Sequence, residues 1–168
     1  MTVPPEPVGP GLVNALSSTV IWLFIPSSGS EFLSANKRRS GQQGHWTADA
    51  RLTAEWRHRA GWIASGYRNH VRDHPVLDGK PVRIVAHLVM IPRRRSRIDP
   101  ANWAPTAKPT VDGLVDAGWL ADDSAGLVEG PDMRLWNRAA RVHGDEGILL
   151  EIRHVTQDTD EVEQFVLV

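Results

Sequence analysis

The chain has no cysteine in its 168 residues, so neither a disulfide framework nor a thiolate metal site is available, and the fold must stand on packing and hydrogen bonds. It also lacks a charge excess. A formal net charge of −1 gives no global argument for a polyanionic partner, since dedicated DNA binders usually carry a clear positive surplus. Long apolar runs are missing as well: the longest, Val20 to Ile25, falls far short of the roughly 20 residues of a membrane helix. No cleavage-site pattern marks it as a signal peptide. The expectation is a soluble, untargeted, cytoplasmic protein. There is no phosphate-binding glycine loop of the Walker or dinucleotide kind and no internal repeat. Ser27, Ser28 and Ser30 have no partnered base in view, which argues against serine-nucleophile chemistry.

What is present describes one ordinary globular domain, 41% hydrophobic and 23% charged, long enough to bury a core. Residues 1–16, rich in proline and glycine without periodicity, read as a disordered or loosely packed arm. The globular domain is expected over 17–156, and 157–168 as a tail or edge strand.

Ser18 to Ile25, β-branched and aromatic, reads as a buried strand, followed by a polar loop from Glu31 to Trp46. From Thr47, a plausible N-cap, apolar residues at Leu52, Trp56, Ala60, Ile63 and Tyr67 recur at helical spacing up to about Val71. Val82 to Ile91 is apolar on both faces, the pattern of a central strand. A second helix carries Val111, Leu114 and Val115, with Gly118 at its C′ position. Its start is ambiguous: Pro105 suits a first turn, while Pro109 means that the helix kinks there or begins there. Gly126 to Met133 and Gly147 to Val155 are strand candidates, joined by a loop read as mobile. The order β-α-β-α-β-β predicts an α/β (α+β) domain, a mixed sheet with two main helices packed on it.

The cations are nearly all arginine, suited to forked contacts with phosphate. They cluster at Lys37, Arg38 and Arg39 and again at Arg93, Arg94, Arg95 and Arg97, either as solvated loops or as a backbone-binding surface. Asp99 follows the central strand, and Asp122-Asp123 follow the helix that folds back on it. A strand-helix-strand unit can bring those two connections together. Two or three loop aspartates are a donor set for magnesium, a hard ion that takes one or two carboxylates plus water and substrate phosphate. Such an ion activates water and polarises a phosphoryl oxygen, and Lys108 can offset charge developing on the phosphorus centre. By spacing alone the same aspartates also suit caps and turns. Asp112 and Asp116 read as a solvated helix face, with Lys108 able to pair with Asp112.

The run from Arg93 to Asp123 resembles the signature of RusA-type Holliday junction resolvases: basic residues, Asp-x-Asp-Asn, a lysine early in a helix, a segment like Asp112 to Gly118, and a closing Asp-Asp. The order of elements is similar too, over most of the chain outside its tails. The resemblance implies a homodimeric endodeoxyribonuclease that binds four-way DNA junctions in recombination and repair. It implies paired nicks that depend on magnesium, or on manganese in its place. Asp99 then matches the first motif aspartate, Asn102 the asparagine, Lys108 the lysine, and Asp123 the last metal-binding aspartate, with Asp122 beside it. Ala101 stands where the family has its second aspartate. Asp122, Asp132 or a water takes up that coordination position, or the protein is a dimer that binds branched DNA without cutting it. A third reading is a structural or assembly protein whose aspartates are turn residues.

His70 and His74, four apart, have zinc-compatible spacing but no third ligand. His87 reads as a hydrogen-bonded structural histidine. Trp56 and Trp119 have core-like positions, whereas Trp103 is placed either for packing or for stacking on a splayed base.

Overall fold

The computed structural model describes residues 11–12, 19–27, 31–35, 45–92, 98–140 and 145–155. Both basic clusters (37–39 and 93–97), residues 1–10 and the 157–168 tail lie outside the described residues.

Among the described residues five strands form one mixed sheet: β1 (Gly11–Leu12), β2 (Val20–Pro26), β3 (Val82–Val89), β4 (Val128–Leu135) and β5 (Gly147–His154), in the order β1-β2-β5-β3-β4. All neighbours are antiparallel except β3 and β4. A parallel pair needs a crossover, and α2 (Ala104–Asp116) lies in it. The other helix, α1 (His45–Val71), joins β2 to β3 through a short 3-10 turn at Pro75–Leu77. The expected mixed sheet with two helices is therefore observed, and β3 is interior, between β5 and β4. Pro131 is compatible with β4 because β4 is an edge strand.

Alternation along the strands builds two cores. Ile21, Leu23 and Ile25, Ile84, Ala86 and Leu88, and Ile148, Leu150 and Ile152 share the face that meets Trp56, Ala60 and Ile63 of α1 and Val111 and Leu114 of α2. Trp22, Phe24, Val89 and Leu149 point to the other face, where Trp136 and Ala140 cover them. Trp56 and Trp119 are 1% and 5% exposed, as core positions require.

The helices cross closely because both crossing positions are glycine. A Cβ on Gly113 would lie 2.5 Å from the Arg57 carbonyl oxygen and 2.8 Å from the Ala60 side chain, and one on Gly61 would lie 3.2 Å from the Gly113 carbonyl.

Several boundaries differ from the sequence expectation, some of them where long-range bonds override local composition. Within the expected loose arm, Gly11 and Leu12 pair with Phe24 and Leu23. α1 begins at His45, two residues before the expected cap. The expected polar loop from Glu31 carries buried Phe32 and Leu33, since Leu33 N–H donates to Thr106 Oγ1 and Thr106 Oγ1–H donates to the Leu33 carbonyl, each at 2.8 Å. α2 runs through Pro109 from Ala104, with Pro105 in its first turn. β4 starts two residues later than expected. The connection after it, expected to be mobile, has Trp136 N–H bonded to the Leu88 carbonyl and Ala140 N–H to that of Met90, both at 2.9 Å.

Candidate active site

The candidate site lies along the exposed stripe of α2. Lys108, Asp112 and Asp116 stand four residues apart, hence on one face, while Ala107, Val111 and Leu114 on the opposite side are buried. The helix ends in a Schellman turn. Gly118, with φ +71°, donates to the Val115 carbonyl at 2.9 Å, and Trp119 N–H donates to Leu114 at 3.0 Å. The chain then reverses. Trp119 Nε1–H bonds the Ala64 carbonyl at 2.9 Å and Leu120 is buried, so the returning strand of chain is pinned against both helices.

That return delivers Asp123 back onto the helix stripe. Lys108 Nζ donates to Asp112 Oδ1 at 2.6 Å and also to Asp123 Oδ2. Partial burial of Lys108 opposes its charge, but the bonds to Asp112 and Asp123 prevail and raise its pKa above the ordinary lysine value. The same ammonium, through its hydrogen bond and charge, holds Asp123 below the usual carboxylate range. One turn on, Arg57 of α1 forks onto Asp116 at 2.6 and 2.7 Å. That hydrogen bond raises the Arg57 pKa, with smaller help from the charges of Asp112 and Asp123, and lowers that of Asp116. The Lys108 side chain is 54% exposed, so the stripe is open to a large substrate.

Asp99 sits at the other connection. It caps the 3-10 turn Pro100–Trp103, its Oδ1 accepting from Ala101 N–H at 3.1 Å and its Oδ2 from Asn102 Nδ2 at 3.2 Å. The turn is anchored from outside: Ala35 N–H donates to the Asn102 carbonyl at 2.7 Å, and Trp103 packs edge-on against Phe32. Trp103 is thus partly committed to packing. Asp122 is exposed, and its Oδ1 accepts from Asp123 N–H at 2.8 Å.

No protein-family model matches the chain, and no curated protein matches it either.

Among the described residues no group of three or more His, Asp or Glu side chains is placed to hold one metal ion. Asp99, Asp122 and Asp123 are not assembled as such a group. The carboxylates that do converge are Asp112 and Asp123, both on Lys108. The position they share is filled by the Lys108 ammonium; carboxylate oxygens are donors of the kind a hard divalent ion takes, and an ion held by both would displace the lysine. Asp112 is the site residue that sequence reasoning set aside as a solvated face. Its i, i+4 relation to Lys108 was the available signal.

Asp132, considered as a substitute ligand, is engaged elsewhere: it accepts from Arg83 Nη2 at 2.6 Å. His74 caps the Pro75–Leu77 turn through Nδ1, which accepts from Val76 N–H at 3.2 Å, and His70 packs edge-on against Tyr67. His87 Nε2 lies 3.0 Å from Glu151 Oε2 between Trp22 and Trp136, on the sheet face away from the helices. Ser27 donates to Glu31 Oε2 at 2.7 Å.

Proposed function

We propose that this chain is a structure-specific endodeoxyribonuclease that resolves four-way DNA junctions by paired nicks, acting as a homodimer of the RusA type. The observation that carries the reading is the convergence of Asp112 and Asp123 on Lys108. The lysine and the closing aspartate of the Arg93-to-Asp123 signature meet in space although 15 residues separate them.

In this reading Asp123 and Asp112 would hold a magnesium ion, with Asp99 the further ligand that the signature assigns and Asp122 beside them. When bound, the ion supplies an activated water and a Lewis acid for a phosphoryl oxygen. Lys108, displaced from those two carboxylates when they hold the ion, would offer its charge to the non-bridging oxygens of the cut phosphate. Asn102 orients Asp99. The arginines at 93, 94, 95 and 97 and the 37–39 cluster supply backbone contacts. The test compares a four-way junction with a duplex of the same sequence in magnesium. Selective nicking of the junction is expected, and equal cutting of both, or of neither, contradicts the reading.

One observation favours a second reading, a dimer that binds branched DNA without cutting it. Ala101, where the family has an aspartate, is exposed beside Asp99 and gives only its backbone N–H to that carboxylate. Junction binding without nicking, converted to nicking by Ala101→Asp, supports this reading against the first.

A further inference from the structure

Two clefts, of about 400 and 450 Å³, adjoin on the surface where the C-terminal halves of the two helices meet. Both are floored by Gly118 and Trp119. One runs out past Arg68 of α1 and Arg72 just beyond its end, and the other runs past Lys80 to Asp122. Together they form a continuous groove that starts at the residue next to Asp123 and leaves the candidate site along a line of cations.

Arg68, in the last turn of α1, and Arg72, in the turn just after it, are both exposed and both line the first cleft. Among the described residues neither has a carboxylate partner, unlike Arg57 with Asp116 or Arg59 with Glu31. The Arg68 guanidinium lies over Gly118, where a Cβ would be 3.3 Å from Nη2. The absent side chain at Gly118 thus lets the cation form the groove wall. Lys80 is paired with Asp78 and contributes less charge.

We propose that this groove is a DNA track: Arg68 and Arg72 bind phosphates of a junction arm adjacent to the phosphate cut at Asp123. Two features favour a nucleic-acid backbone as the occupant. The groove's two guanidiniums, without a carboxylate partner among the described residues, suit forked phosphate contacts, and the groove reaches Asp122, the neighbour of Asp123. The inference rests on the nuclease reading and adds to it a binding surface remote from the basic clusters at 37–39 and 93–97.

Junction binding by the full chain, measured across roughly 50 to 200 mM salt, tests it, because each phosphate contact contributes about one unit to the slope of log affinity on log salt. Arg68→Gln with Arg72→Gln is expected to reduce the slope by about two units, and Arg72→Gln alone by about one. The single variant changes an exposed position and keeps the test valid if the double variant folds poorly. Arg134→Gln with Arg153→Gln, the same charge change on the far sheet face, is expected to leave the slope unaltered. A wild-type slope in both groove variants, or an equal loss in the far-face pair, overturns the track while leaving the nuclease reading intact. Absence of wild-type junction binding overturns both.

Discussion

Asp123 shares the Lys108 ammonium with Asp112, which lies one helical turn beyond the lysine. Each carboxylate alone would be a modest surface pair. Their juxtaposition makes the lysine the neutralising centre of an acidic patch, so removing it has electrical consequences that a simple surface mutation lacks.

Lys108→Gln should therefore leave Asp123 facing Asp112 without a cation, and its pKa should rise to or above the ordinary 3.8. A carboxyl-detected NMR titration reads this directly. In the wild type the Asp123 pKa is depressed in the folded state, so the pair's contribution is present above 3.8 and is lost as pH falls through the lower folded value. An unchanged Asp123 titration in the variant contradicts the described pairing.

Much of this arrangement was legible in the sequence because it is local. The Val82-to-Met90 alternation gave the two faces of β3, and Val111, Leu114 and Gly118 gave the buried face and end of α2. The meeting of Asp123 with Lys108 was not legible. It depends on the turn at Gly118 and on Trp119 reaching the Ala64 carbonyl, a contact across 55 residues that no local pattern encodes. Leu33 was hidden in the same way, because its partner Thr106 is 73 residues away. The aspartate spacing was equally compatible with caps, and Asp99 does cap its turn.

The sheet face away from the helices makes a separate prediction. Its hydrogen bond with His87 outweighs burial and holds the Glu151 pKa below the ordinary 4.5. The sign follows from linkage: between the folded and unfolded values the unfolded chain binds more protons, so this stabilisation is present above 4.5 and lost as pH falls below it. Glu151→Gln should flatten the acid limb of a urea-midpoint profile relative to wild type. Parallel profiles contradict the account.

The helix crossing can be tested with two glycines. Gly113→Ala forces a Cβ into the Arg57 carbonyl and Ala60 and should cost about 1–3 kcal/mol, the scale of core overpacking. Gly66, also in α1, has nothing within 4 Å of a Cβ, and Gly66→Ala should stabilise by about 0.4–1 kcal/mol through the unfolded chain. Equal effects in denaturant unfolding would mean that the helices do not approach as described.

The most direct test of the account is the magnesium-dependent nicking rate of a synthetic four-way junction by wild type and by Asp123→Asn, with junction binding followed in parallel. The predicted result is a fall in nicking of about 10²–10³-fold, the scale for losing one group that stabilises a transition state, with binding retained. Nicking by Asp123→Asn at the wild-type rate would contradict it.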